Sequence, residues 1–219
     1  MVYKAKDGIG KPSEKVIGRL ILYRRVMSDV LAEGTEYLHS HDLGQRAGVS
    51  AAQVRRDLMT IGYAGTPQRG YNAAKLLECL ADFLDLPQGQ KMALVGVGNL
   101  GRALLSYFYG RRPNLVISAA FDNDPQKNGR VIHGCRCYSL EQLESILTQQ
   151  EIYLGVIAVP SAAAQEVADL LVRCGARGIL NFAPLPLHLP QHVYVDNLDV
   201  TLSLEKVAFF ARQNSKEVV

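Results

Sequence analysis

The spacing of apolar positions changes once along the chain, near residue 87. Before that point it has the period of helices; after it, short apolar runs alternate with helical stretches. SEKVIGRLILYRRVMSDVLAEG, Ser13 to Gly34, puts Val16, Leu20, Tyr23, Met27, Val30 and Leu31 on one helical face, with Ser13 placed to cap its start and Gly34 to end it. A short helix fits SHDLGQRAG (40–48) and a third fits SAAQVRRDLMTIG (50–62). Tyr63 to Asn72 is a turn-rich connector punctuated by Pro and Gly. A helix from Ala73 to about Asp85 stops before Pro87, and LPQGQ reads as a linker.

Beyond the linker, strands are expected at Met92–Val97, Leu115–Asp122 and Ile152–Val159, within GILNFA (178–183) and near VYVDNLD (193–199), with HGCRCYS (133–139) extended. Helices are expected after Gly98, at Leu140–Gln149 and at Ala162–Cys174. Strands alternating with helices argue for a parallel sheet covered on both faces, so the fold class is α/β with a helical N-terminal domain. Leu202 to Gln213 forms a terminal helix with more apolar positions than one exposed helix should carry.

Composition narrows the classes. No run approaches ~18 apolar residues, so no membrane span is expected, and the polar N-terminus lacks a secretory core. Cys79, Cys135, Cys137 and Cys174 show no disulfide framework, which makes a reducing cytoplasm the expected compartment. The net charge of +3 hides an asymmetry: residues 1–75 hold twelve Lys/Arg against seven Asp/Glu, residues 76–219 twelve against fourteen. The first third is therefore the part suited to an anion such as nucleic acid.

Candidate chemistry starts at KMALVGVGNLGRALLSYF, Lys91 to Phe108: an apolar strand, then Gly96-x-Gly98-x-x-Gly101, then a helix. This is the context a dinucleotide fingerprint requires. Gly96 allows the tight turn, Gly98 lets the backbone approach a pyrophosphate, and Gly101 lets helix and strand pack closely. With Val97, Asn99 and Leu100 they form the expected cofactor loop, whose helix N-terminus faces the phosphates. Asp122, 21 residues past Gly101, stands where an acid accepts hydrogen bonds from the adenosine ribose and repels a 2′-phosphate, favouring NAD(H) over NADP(H).

In SHDLGQRAGVSAAQVRRDL, Ser40 and Ser50 are each placed to cap a helix, Gly48 lies at the turn, and Leu43, Ala47, Val49, Val54 and Leu58 face inward, a helix-turn-helix pattern. On the third helix Val54, Leu58 and Ile61 mark the buried side. Ala52, Arg56 and Met59 lie opposite, flanked by Gln53, Arg55 and Thr60. Gln53 and Arg56 are thus expected to face outward as readers of adenine and guanine, and Arg46, Arg55 and Arg69 to contact phosphates. TPQRGY would be a wing carrying Arg69 to the minor groove. The alternative is a small helical bundle with solvated arginines.

His133, Cys135 and Cys137 alternate in HGCRC and would share one face of a strand, yet no fourth metal ligand accompanies them. His39, His41, His133, His188 and His192 show no base–carboxylate arrangement suited to hydride transfer, and little chain remains for a substrate domain. No catalytic residue is therefore assigned.

With RLILYRR (19–25), SAAQVRRDL (50–58), VGVGNLG (95–101), FDNDP (121–125), VPSAAAQEVADLLV (159–172) and GILNFAP (178–184), the chain resembles the Rex family of redox-sensing transcriptional repressors over nearly its whole length. The resemblance implies an N-terminal winged helix (1–86), a Rossmann domain (87–203) and a terminal helix (204–219) exchanged within a homodimer. It implies palindromic operator DNA as partner, NADH and NAD+ as regulatory ligands, and no enzymatic activity. It also implies that NADH closes the Rossmann domains and spoils the spacing of the two recognition helices, while NAD+ competes without driving release. Arg25, Tyr107 and Asp199 match a network that couples the two sites in similar proteins. One departure stands out: the family's wing runs Thr-Arg-Gly-x-Gly-Tyr, whereas here Pro67 replaces the arginine and Arg69 lies two residues later. A small NAD-dependent oxidoreductase and a nucleotide-binding interaction module are the alternative readings.

Overall fold

The computed structural model describes residues 12–111 and 114–214; expectations for residues 1–11 and 215–219 lie outside them. The chain divides into two units, Met1–Pro87 and Gln88–Val219.

In the first unit, α1 (Glu14–Ala32), β1 (Tyr37–Leu38), α2 (Ser40–Ala47), α3 (Ala51–Thr60), β2 (Tyr71–Asn72) and α4 (Ala73–Leu84) follow in order. Their shared core contains Leu20, Tyr23, Met27, Val30, Leu43, Val54, Leu58, Leu76 and Leu80. Two details of the first helix depart from the sequence reading. Val26 joins the core while Leu31 is exposed, because α1 packs against α4 as well as α2 and its buried stripe is wider than one line of contacts. Ser13 holds the cap position through its backbone carbonyl, with no side-chain cap bond. Gly34 ends the helix as expected, in the left-handed conformation at φ 79°. The connector at Tyr63–Asn72 is a hairpin. β2 pairs antiparallel with β1, and Thr66 and Gly70 exchange both backbone hydrogen bonds at 2.8 Å around the tip Pro67–Arg69.

The second unit is a seven-stranded sheet built from β3 (Gln90–Val95), β4 (Leu115–Phe121), β5 (Val131–Ile132), β6 (Cys135–Tyr138), β7 (Leu154–Ile157), β8 (Gly178–Asn181) and β9 (Tyr194–Asn197). Its order is β5-β6-β4-β3-β7-β8-β9; all pairings are parallel except the edge hairpin β5–β6. Setting β5 aside, this is the doubly wound order, with its reversal between β3 and β7. Helices α5 (Asn99–Phe108), α6 (Leu143–Gln150) and α7 (Ser161–Arg173) cross between strands. Period two is visible in β3: Ala93 and Val95 join the core cluster under α6 and α7, whereas Met92 and Leu94 join the one under α5.

Helix α8 (Val200–Asn214) closes the chain. It begins before residue 204 because Asp199 caps it, accepting the Leu202 N–H at 2.9 Å. Every side chain described on it is exposed, Leu204, Val207 and Phe210 by 58–65%.

The HGCRC segment differs from the expected uniform strand. His133 (φ 46°) and Gly134 (φ 76°) form a two-residue turn between β5 and β6, so the hairpin separates His133 from the cysteines. Cys135 and Cys137 are buried in the core under α5, and burial pushes the Cys135 thiol up to about 11. Among the described residues, no three His, Cys, Asp or Glu side chains converge on a metal position.

Candidate functional site

The glycine turn lies at the sheet's reversal point, where ligands settle in doubly wound folds. Gly96 has φ 95°, and a Cβ there would strike the carbonyl oxygen of Ala158 beyond β7. A Cβ on Gly101 would fall on the Gly96 carbonyl oxygen, so this glycine keeps α5 against the turn. Gly98 has nothing within 4 Å of a Cβ position: the fold leaves that side open. Gly98 occupies the cap position of α5 and no side chain caps the helix, so the first-turn N–H groups of Asn99, Leu100 and Gly101 remain for an anion.

Two residues expected at the cofactor are bonded to each other. Val97 is fully buried, and its N–H donates to Asp122 Oδ2 at 2.7 Å. Asp122 is itself 8% exposed; it also accepts from the Asp124 N–H at 2.9 Å and from Lys127 Nζ at 3.0 Å. Burial raises its pKa, but those bonds from Asp124, Val97 and Lys127 outweigh it and hold the carboxyl ionised below its usual range. A carboxylate has about four acceptor positions, so roughly one is left for a ribose hydroxyl. Asp122 thus braces the glycine loop. Lys127, which sequence reasoning passed over, offsets part of the charge that would repel a 2′-phosphate. Asn181, fully buried at the end of β8, clamps Ala183, Leu185 and Asn197 through its side-chain amide. Nothing in a lone Asn marks such a clamp in sequence.

In the first unit Gly48 (φ 67°) ends α2, and Ser50 caps α3 by accepting the Gln53 N–H at 3.2 Å. Gly44 matters as much as Gly48, since a Cβ there would lie 2.6 Å from the Val49 carbonyl oxygen. Ser40 is not a cap: His39 holds that position, and the Ser40 hydroxyl accepts from Arg55 Nη1 at 2.8 Å. Ala52, Arg56 and Met59 form the exposed face of α3, with Arg55 exposed beside them. Gln53 is half-buried at its edge rather than outward, with its amide nitrogen on Asp57 and its oxygen taking Arg56 Nη2 at 2.9 Å. Between α3 and the hairpin lies a cleft of about 360 Å³ lined by Ser40, Arg55, Met59, Tyr63, Thr66 and Tyr71. Arg46 makes a two-pronged pair with Glu33, and Arg69 lies over the Tyr37 ring.

The sequence reading missed Asp57, 2% exposed on the inner side of α3. Arg19 Nε and Nη2 reach it at 2.6 and 2.7 Å, Tyr23 Oη at 2.8 Å and Gln53 Nε2 at 2.8 Å. Burial raises its pKa, but the Arg19, Tyr23 and Gln53 bonds prevail and lower it. Its helical angle, about 40° from Ile61 and about 60° from Val54, was the available signal.

Of the expected coupling residues, Arg25 is exposed on α1, Tyr107 is exposed on α5 with Arg111 4.7 Å over its ring, and Asp199 caps α8.

Residues 11–58 match the family described as "Putative DNA-binding protein N-terminus", and residues 88–185 the one described as "CoA binding domain". The redox-sensing transcriptional repressor Rex of Roseiflexus sp. (strain RS-1) is 40% identical over 96% of this chain and 99% of its own length. That of Desulfitobacterium hafniense is 40% identical over 91% and 95%. The crystal structure of the protein RSP in complex with beta-NAD+ and operator DNA aligns with TM-score 0.86 and 31% identity over 95% of both chains. RSP in complex with beta-NADH aligns at 0.83 and 31%, over 95% of this chain and 97% of that one. On relatives matched across both units, the chain belongs to the Rex family of redox-sensing transcriptional repressors.

Proposed function

We propose that this chain is a repressor that binds palindromic operator DNA as a homodimer and is released when NADH occupies its glycine-lined crevice. One observation carries the reading: the uncapped glycine turn at the sheet's reversal point and an arginine-bearing helix-turn-helix occur in a single chain whose relatives match it through both. Residues 1–86 act as the winged helix and 87–203 as the dinucleotide domain. Gly96, Gly98, Asn99, Leu100 and Gly101 receive the pyrophosphate, and Asp122 the ribose, with Val97 serving through its bond to Asp122. Arg56 and Gln53 read bases, while Arg55 seats a phosphate in the cleft between α3 and the hairpin. Arg46 and Arg69 add backbone contacts once Glu33 and Tyr37 give them up, and Ser50 fixes the first turn of α3.

The residues from 204 onward, with the start of α8, form the dimer contact, which accounts for the exposed Leu204, Val207 and Phe210. Arg25, Tyr107 and Asp199 couple the two sites. The molecule works in the cytoplasm, where Cys135 and Cys137 stay reduced, and no helix among the described residues is long and apolar enough to cross a membrane. It acts as a regulator rather than an enzyme.

The test is titration of an inverted-repeat duplex with the purified chain, with NADH and NAD+ added in turn. NADH should weaken binding at micromolar concentration and NAD+ should do so poorly. An operator affinity untouched by either nucleotide overturns the sensor reading, and sustained NADH oxidation with a small substrate would favour an oxidoreductase instead.

A further inference from the structure

We propose that Asp57 is a positioning residue for base readout: buried on the inner side of α3, it sets the Gln53 amide and, through it, the Arg56 guanidinium, so that these two side chains read DNA as one unit. This rests on the reading that the helical unit binds DNA.

A carboxylate only accepts hydrogen bonds and offers about four positions. Here all four are filled: Oδ2 by Arg19 Nε and Tyr23 Oη, Oδ1 by Arg19 Nη2 and Gln53 Nε2. The acceptor-only partner settles which end of the Gln53 amide faces inward, since the oxygen turned toward Asp57 would meet another acceptor. The Gln53 oxygen must then point outward, where it takes Arg56 Nη2 at 2.9 Å. Asp57, Gln53 and Arg56 therefore form a chain of bonds from the core to the exposed face of α3.

What this leaves free is a recognition surface. Gln53 keeps one N–H and one oxygen lone pair, the complement of an adenine edge, and Arg56 keeps its remaining guanidinium donors for guanine. Arg19 and Tyr23 anchor the chain in α1, so the orientation of the readers is tied to the body of the domain rather than left to side-chain rotamers. The competing account is that Asp57 only staples α3 to α1, with Gln53 and Arg56 acting independently.

A double-mutant cycle separates the two accounts. The probe is an inverted-repeat duplex selected by the wild-type chain from random-sequence DNA, together with its single-base variants. Gln53→Leu removes the amide but leaves the bonds from Arg19 and Tyr23, so its melting temperature should stay near wild type. We expect Gln53→Leu and Arg56→Ala each to lower affinity by about tenfold, the pair together to lose far less than the product, and Gln53→Leu to relax base choice at the Arg56 position as well as its own. Asp57→Asn should lower the ratio of selected to random DNA binding in protein that still melts cooperatively. Fold-changes that multiply, with base choice at the Arg56 position intact in Gln53→Leu, would overturn the relay and leave the repressor reading standing. A wild-type chain that selects no sequence at all would overturn both.

Discussion

At the scale of single residues, the glycine turn makes two opposite statements about two glycines three positions apart. Gly98→Ala adds a methyl group to open space and should leave the melting temperature unchanged while lowering NADH affinity by roughly tenfold or more, since the methyl stands where a pyrophosphate must approach. Gly101→Ala drives the same methyl into the Gly96 carbonyl and should lower the melting temperature as well. Calorimetry and a nucleotide titration on each variant check both; equal effects would mean the open side is not the binding side. On the other unit, Arg56→Ala should cost about 1–3 kcal/mol of operator affinity and relax base choice, whereas an equal loss on random DNA would make Arg56 a phosphate contact. Asp57 adds a pH dependence. Its folded pKa lies below the ordinary carboxylate value, so its stabilisation is fully present above about pH 4 and is lost as pH falls through the folded value. Asp57→Asn should destabilise by about 3 kcal/mol or less at pH 7, since Arg19 is partly exposed, and the gap should close in acid. A gap constant from pH 7 to pH 3 would contradict the assignment.

Elements were legible in the sequence to the extent that their periodicity was decided by burial. The buried faces of α1 and α3 and the apolar run of β3 announced themselves, because a core on one side forces period 3.6 or 2. Features set by backbone chemistry did not. The β5–β6 turn depends on His133 adopting a left-handed conformation, which hydrophobic spacing does not report, so the segment read as one extended run. Asp57 sits where an apolar residue is expected, and only its partners Arg19 and Tyr23, more than thirty residues away, explain it. Helix α8 is the opposite case: its apolar surplus was visible and the fold of one chain leaves it uncovered. Val207→Asp or Phe210→Asp should therefore turn a dimer into a monomer in sedimentation velocity at micromolar concentration, with the secondary structure intact. A dimer that survives both changes would assign the contact to another surface.

For the whole molecule, regulation is a matter of linkage. Two anion-binding units lie in one chain, each with its own core, and regulation requires that the state favoured by NADH bind operator more weakly. The sequence pointed to both candidate sites, but residue spacing carries no information about the coupling between them; Arg25, Tyr107 and Asp199 entered only through resemblance. Coupling of this kind is reciprocal: the factor by which NADH weakens operator affinity equals the factor by which operator weakens NADH affinity. The most direct measurement is thus the NADH dissociation constant of the full chain, free and saturated with its selected inverted repeat. The account predicts weaker NADH binding on DNA, by the same factor that NADH imposes on DNA binding. An NADH affinity identical in the two states would contradict it.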